Sequence, residues 1–138
     1  QRGLNRGDAM TEREALLRAV CDSPHDDTPR LVFADWLDEN GEPERAAFIR
    51  LQVERALLPE GEEREALRDR EREILAAHER AWRAELPNEP GWYWHDFHRG
   101  FIDELTVNSA AVPESDPARA FAAAPIVAIS FNTQPVGR

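Results

Sequence analysis

A length of 138 residues with an apolar fraction of 41% predicts one compact domain with enough bulk for a core. The formal net charge is −10, and a surface this acidic repels phosphate backbones and anionic lipid, so we expect no nucleic-acid partner and no membrane partner. All 17 basic residues are Arg, which excludes Schiff-base chemistry and a P-loop lysine, and no apolar run approaches the ~18 residues of a membrane span.

The first predicted elements are two helices preceded by a short leader. Residues 1–9 lack the apolar stretch of a signal peptide, so we interpret them as a flexible leader or an expression-tag remnant. Thr11–Glu14 forms a capping box that opens a first helix, which should end before Asp22. Thr28–Pro29 predicts the start of a second helix, with the Thr as N-cap and the Pro at the first helical position. Asn40–Gly41 predicts its left-handed end.

Two further helices complete a predicted four-helix module over residues 10–88. Glu42–Pro43 opens the third helix, and a fourth is expected over about residues 62 to 86. Apolar residues spaced by seven predict that one stripe of the fourth helix faces the domain: Leu67, Ile74 and Ala81, with Leu75 and Trp82. Its other face offers acid–arginine pairs, namely Glu65–Arg68, Asp69–Arg72 and Glu79–Arg83.

The composition changes over residues 89–138. After the aromatic run Trp92–Trp94, the segment Gly100–Val107 has strand composition, Asp116–Ala123 predicts a short helix, and Ile126–Phe131 predicts a second strand. Strand, helix and strand over about 25 residues form one step of a βα solenoid. One step cannot bury its own face, so the chain looks truncated or unusually short. The predicted fold class is therefore mostly α with a small β part: a four-helix module followed by a strand–helix–strand unit that resembles the start of a leucine-rich-repeat solenoid.

His78, His95 and His98 are the residues most like metal ligands. A catalytic zinc needs three ligands in a fixed arrangement and a general base nearby, and the chain has neither an HExxH nor a CxxC motif. We therefore expect these His side chains to form hydrogen bonds around an aromatic turn, and we predict no metal and no cofactor.

Other chemistry-bearing residues also favour structural roles. Cys21 should behave as a small buried hydrophobe, and no serine lies in a nucleophile elbow; the serines considered were Ser109, Ser115 and Ser130. The acids at the junction of the second and third helices lack calcium-loop spacing and predict a solvated helix end: Asp35, Asp38, Glu39, Glu42 and Glu44. Asp22, Asp26 and Asp27 predict a cap-rich turn. We predict no catalytic residue and no enzyme.

Two features could contact a partner. Three adjacent rings in Trp92–Trp94 cannot all face inward on a strand, so at least one should be at the surface. The three rings either cover the end of the fourth helix above Trp82 or form a partner-binding hot spot. An open strand edge at Ile126–Phe131 predicts either pairing with another chain or coverage by local structure.

Two segments, Pro29–Gly41 (PRLVFADWLDENG) and Pro43–Gln52 (PERAAFIRLQ), resemble the repeat-companion domain, a bacterial family typically found before leucine-rich-like repeats. Arg99–Ile102 and Ala124–Ile126 are similar to that family's passage into its repeats. The chain departs from the family at Arg45–Ala47, where members often have an Arg-Gly-Glu-like sequence, so a different loop or helix start is expected there. The family carries no assigned activity, and the resemblance implies a domain that caps repeats.

Under this resemblance, six residues are expected to be core and helix-packing positions: Ala34, Trp36, Leu37, Phe48, Ile49 and Leu51. Asp35 and Arg50 are expected to form a salt bridge between the second and third helices.

The function expected is a non-catalytic protein-interaction or scaffold module that caps a repeat array in the cytoplasm. A regulatory or substrate subunit that docks onto a bacterial signalling or defence enzyme is the alternative, and a His-dependent metalloenzyme is a third. The sequence leaves open the identity of the protein partner and the oligomeric state.

Overall fold

The computed structural model describes residues 10–108 and 117–132. Within them the chain is mostly helical with a small β part, as predicted. The helices are α1 (Glu12–Asp22), α2 (Asp27–Glu39), α3 (Pro43–Leu57), α4 (Glu62–Arg83) and α5 (Ala118–Ala123). The strands are β1 (Trp92–Trp94), β2 (Phe97–His98), β3 (Phe101–Ile102), β4 (Glu104–Asn108) and β5 (Ala128–Asn132). The predicted leader at residues 1–9 lies outside the described residues, and the division of the chain near residue 88 stays a prediction.

All five described strands pair with another strand, in two separate sheets. β2 and β3 form a two-stranded antiparallel hairpin, while β1, β4 and β5 form a sheet in that order. β1 is antiparallel to β4, and β4 is parallel to β5, with α5 in the connection between them. The predicted strand–helix–strand unit is therefore confirmed.

The strand predicted over Gly100–Val107 is divided at Asp103, so that part of the prediction is wrong. The strand does not run through Asp103 with a single pairing partner. The backbone carbonyl of Asp103 instead accepts a hydrogen bond from the N–H of Val127 at 2.9 Å. This contact aligns the start of β5 with β4. The second strand begins at Ala128 rather than Ile126, because Ile126 is turned into the core.

The capping prediction is confirmed for α1 and wrong for α2. The Glu14 N–H donates to the Thr11 hydroxyl at 3.0 Å, and the Thr11 N–H donates to the Glu14 carboxylate at 2.9 Å. In α2 the N-cap is Asp26, whose carboxylate accepts the Thr28 N–H at 3.0 Å. Asp and Asn are N-caps at least as strong as Thr, so the helix begins two residues before the predicted position.

The inward face of α4 differs from the predicted stripe at one position. Trp82 is buried, and Leu67, Ile74 and Leu75 are half-buried, but Ala81 is exposed. The buried face instead includes Glu71, because residues spaced by three and four stay on one face of a helix better than residues spaced by seven. The Glu71 carboxylate accepts a hydrogen bond from Arg55 at 2.7 Å. The helix ends at Arg83, three residues early. The three predicted surface pairs are all present, at 3.8, 2.6 and 2.8 Å.

The predicted core residues are confirmed in α2 and α3. Five are buried (Ala34, Leu37, Phe48, Ile49 and Leu51), and Trp36 is half-buried against the cluster that contains Ala34, Leu37 and Ile49. The predicted salt bridge is also present, since Arg50 donates to Asp35 at 2.7 Å and to Asp38 at 3.1 Å. These side chains are largely exposed, so the pair contributes at most about 1 kcal/mol to the free energy of unfolding.

The turn of the β2–β3 hairpin docks directly on α3. Arg99 and Gly100 both have positive φ, 51° and 92°, as a tight two-residue hairpin requires. The Gly100 N–H donates to the Gln52 side chain at 2.7 Å, and the Gly100 carbonyl accepts from Arg45 at 3.0 Å. A Cβ on Gly100 would lie 2.8 Å from a side-chain carbon of Ile49. The hairpin turn therefore locks the β part onto the helical part.

Candidate interaction surface

The sheet has one covered face and one open face. Two rows of side chains cross its covered face, Trp94–Leu105–Ile129 and Trp92–Val107–Phe131. Leu105 and Val107 are buried under Ala120 and Ala124 of α5. The side chains of β5 on this face are less buried than those of β4, because Ile129 is half-buried and Phe131 is 59% exposed. The last strand thus presents apolar surface that α5 does not cover.

The two edges of the sheet differ. β1 has three residues and is held by α4 and the turn that follows it. Arg83 donates to the Trp94 carbonyl at 3.1 Å, and the Trp94 indole donates to the Pro87 carbonyl at 3.0 Å. Over residues 10–108 and 117–132, β5 has a strand neighbour only on its β4 side. We call the side of Ala128–Phe131 that faces away from β4, together with the Phe131 ring, the β5 edge.

Two more large apolar side chains in the segment that leads to β5 are exposed. Phe121 on α5 is 49% exposed and Val127 just before β5 is 41% exposed. Both are sites that the sequence analysis did not single out. Soluble monomers expose single apolar residues without consequence, but an exposed apolar group beside an unpaired strand is typical of an interface.

The three rings of the aromatic run Trp92–Trp94 lie in two different environments. The rings of Trp92 and Trp94 are half-buried and meet edge to face at 6.1 Å, and Trp94 packs against the cluster that contains Trp82. Tyr93 points to the other face and is 60% exposed. The prediction that at least one ring lies at the surface is confirmed, and that ring is Tyr93.

The three histidines do not converge. His95 contacts the Thr106 hydroxyl at 2.8 Å, and His98 contacts the buried Asp103 carboxylate at 3.0 Å, so the expected hydrogen bonds are confirmed for these two. His78 instead stacks on Trp82 at 5.0 Å between ring centres. In the part of the chain that the structure describes, no group of three His, Cys, Asp or Glu side chains could hold a metal ion.

The acidic turns have structural contacts. Asp26 caps α2, and Asp27 accepts from Arg99 at 2.6 Å, which ties the α1–α2 turn to the hairpin turn. The acids at the α2–α3 junction are exposed except for Glu42, which pairs with Arg13. Among the serines, Ser130 bonds to the hydroxyl of Thr106 at 2.9 Å, while Ser109 and Ser115 lie outside the described residues.

The Cys21 thiol is half-buried, with its sulfur 3.9 Å from the Ala122 carbonyl oxygen. Burial, reinforced by the charge of Asp22, raises the pKa of this thiol from 9.0 to about 11. We expect iodoacetamide at about pH 8 to alkylate the folded chain about a hundredfold more slowly than the urea-unfolded chain, because thiolate is the reactive species. Mass spectrometry of timed samples measures both rates.

Equal alkylation rates in the two states would show that Cys21 is an accessible nucleophile.

The raised pKa of Cys21 also makes the stability of the fold depend on pH. The folded thiol keeps its proton to higher pH than the unfolded one, so its contribution to stability is present below about pH 9 and is lost as the pH rises to about 11.

The chain matches no known protein family, no curated protein and no solved structure. Among the described helices, none combines the length and the apolar character that crossing a membrane requires.

Proposed function

We propose that this chain is a non-catalytic cap for an array of strand–helix units that serves as a scaffold for protein partners. The observation that carries the proposal is the difference between the two edges of the sheet. The β1 edge is short and fixed by α4 and the turn after it, while the β5 edge is unpaired and apolar within the described residues. A sheet built in this way can extend in one direction only.

The β4–α5–β5 unit has the spacing of a repeat. Glu104 pairs with Ala128, and 128 − 104 gives a period of 24 residues. Leucine-rich repeats have periods of about 20–29 residues with parallel strands in register. Apolar side chains also recur at this period, with Leu105 beside Ile129 and Val107 beside Phe131. A following unit would place its strand on the β5 edge and its helix over Phe131.

The helical part covers the opposite end of the unit. α1 packs against α5, and the turn of the β2–β3 hairpin is held by α3. Terminal repeats need such a cover, because an exposed end of a stack would leave apolar surface in water. This arrangement supports the placement that the resemblance to the repeat-companion domain implies, and we propose that the chain is of that type.

The net charge bears on the partner, and the cysteine content bears on the compartment. With a net charge of −10, we propose a protein partner rather than nucleic acid or a membrane surface. A single cysteine with no disulfide partner fits the reducing cytoplasm, which we propose as the compartment.

A tandem chain tests the proposal. A copy of residues 109–132 is inserted after Asn132, so that the period of 24 residues is kept. We expect the second unit to fold on the first and to raise both the urea midpoint and the m-value, since stacked repeats gain stability from each interface and bury more surface. Circular dichroism during urea unfolding gives both quantities.

Two variants of the first unit provide the matched comparison. Phe131→Lys places a charge on the covered face of β5 and should abolish the gain from the second unit. Ala128→Lys adds the same charge on the open face of the same strand, opposite Glu104, and should preserve the gain. If the second unit stays unfolded, or if both variants behave alike, the β5 edge is not a stacking surface and the proposal is wrong.

A further inference from the structure

A cavity of about 470 Å³ lies where α1, α3 and the end of α4 meet the hairpin and α5. None of its walls comes from β5, so it is distinct from the β5 edge. Most of the lining is apolar, including Leu17, Phe33, Leu86, Ile102 and Ala124. Small-molecule sites commonly have volumes of about 300–1,000 Å³ with apolar walls and a few polar groups that fix orientation. This cavity has that size and that composition.

The buried polar group in the wall is the Arg45 guanidinium, whose side chain is only 9% exposed. It lies 4.9 Å from the ring centre of Trp82, 5.3 Å from that of Phe101 and 5.7 Å from that of Phe97. One Nη donates to the Gly100 carbonyl, but Nε has no hydrogen-bond partner among the residues that the structure describes. A buried charge with an unused donor is unfavourable unless a partner supplies the missing contact.

The carboxylate that faces Arg45 is held loosely. An oxygen of Glu85 is 3.9 Å from Arg45 and 3.8 Å from Arg13, at the outer limit for an ion pair in both cases. The Glu85 side chain is 51% exposed and lies just beyond the end of α4. Burial lowers the pKa of Arg45 to about 10, and the opposing effect of the Glu85 charge is smaller.

We propose that this cavity binds a small organic carboxylate that carries an apolar group. The ligand carboxylate takes the position of the Glu85 carboxylate between Arg13 and Arg45, and the apolar group contacts Leu17 and Phe33. Arginine pairs with carboxylates in short, directional hydrogen bonds, so the exchange replaces two contacts near 4 Å with close ones.

The charges around the cavity favour a monoanion. Arg13 also pairs with Glu42, so two arginines face two acids in the lining. Exchange of one carboxylate for another keeps this balance, whereas a phosphate dianion would add a charge beside Glu42. A cationic ligand is disfavoured because the guanidinium of Arg45 already occupies the position among the three rings.

The test uses 4-phenylbutanoate with the full chain, followed by tryptophan fluorescence, because Trp82 lines the cavity. We expect saturable binding of the acid and at least about tenfold weaker binding of the neutral 4-phenylbutanamide, which cannot make charge-assisted hydrogen bonds. No saturable binding of the acid up to about 10 mM, or equal binding of the amide, would overturn the proposal.

Three variants separate this site from non-specific apolar binding. Glu85→Gln removes the competing carboxylate and should tighten binding about threefold. Arg45→Met should weaken it at least about tenfold. Glu63→Gln removes an exposed acid at the start of α4, outside the lining of the cavity, and should change nothing. Arg45→Met can fail to fold, so Glu85→Gln decides: unchanged or weaker binding in that variant contradicts the proposal.

The carboxylate can belong to a free small acid or to the C-terminus of a peptide. N-acetyl-Ala-Ala-Phe with a free C-terminus, compared with its C-terminal amide, distinguishes the two sources. Tighter binding of the free-acid peptide than of 4-phenylbutanoate assigns the site to a chain terminus, and weaker binding assigns it to a free acid.

Discussion

Gly100→Ala should lower the free energy of unfolding by about 3 kcal/mol. The backbone at Gly100 has φ of 92°, and an L-residue in the left-handed region costs about 1–2 kcal/mol. The new Cβ would also lie 2.8 Å from a side-chain carbon of Ile49 and 3.0 Å from its backbone Cα, and overpacking adds about 1–3 kcal/mol. Because the neighbour is a helix backbone, the turn has to move away from α3. Urea unfolding followed by circular dichroism measures the loss.

Gly41→Ala is the matched control. Gly41 has nearly the same φ, 91°, but nothing lies within 4 Å of the Cβ that would be added. We expect a loss of only about 1 kcal/mol, from backbone strain alone. The difference between the two variants isolates the close approach of the hairpin turn to α3. Equal losses would mean that the turn is not packed against α3 as described.

Phe48→Ala should lower the free energy of unfolding by about 4 kcal/mol, because a fully buried aromatic leaves a cavity that its rigid neighbours cannot fill. The Phe48 ring lies 5.1 Å from that of Trp82 on α4 and 5.3 Å from that of Phe97 on β2. One side chain of α3 therefore joins a helix and the hairpin. Loss of this ring weakens both attachments, and urea unfolding again gives the magnitude.

Phe121→Ala provides the comparison for this substitution. The same ring is removed from a position that is 49% exposed, so we expect a loss below about 0.5 kcal/mol. A loss from Phe48→Ala that is as small as that from Phe121→Ala would contradict the account of the core.

Local signals were enough to predict the helices and the parallel strand pair. The Thr11 capping box and Gly41 stop act within a few residues, so their outcome depends little on the rest of the chain. The start of α2 was misplaced because Asp26 and Thr28 both suit an N-cap, and neither pattern nor spacing decides between them. The break at Asp103 depends on a bond to Val127, which no local pattern encodes.

Long-range contacts account for what the sequence did not predict. The Arg45 side chain meets Trp82, Phe97 and Phe101 only after the helices and the hairpin have packed, and nothing near Arg45 in the sequence marks that site. The clamp on Gly100 likewise needs Gln52 from α3. The alternation of apolar and polar residues in β5 did not predict that Phe131 is exposed, because α5 buries the side chains of β4 but does not cover Phe131.

Amide hydrogen exchange of β5 tests the central claim most directly. In the parent chain, the N–H groups of Ala128–Phe131 that point away from β4 should exchange almost as fast as in an unfolded peptide, since this side of β5 has no strand neighbour among the described residues. In the tandem chain the same groups should slow by more than about a hundredfold, as they pair with the added strand. Protection already present in the parent chain, or no change in the tandem chain, would contradict a β5 edge that accepts the next unit.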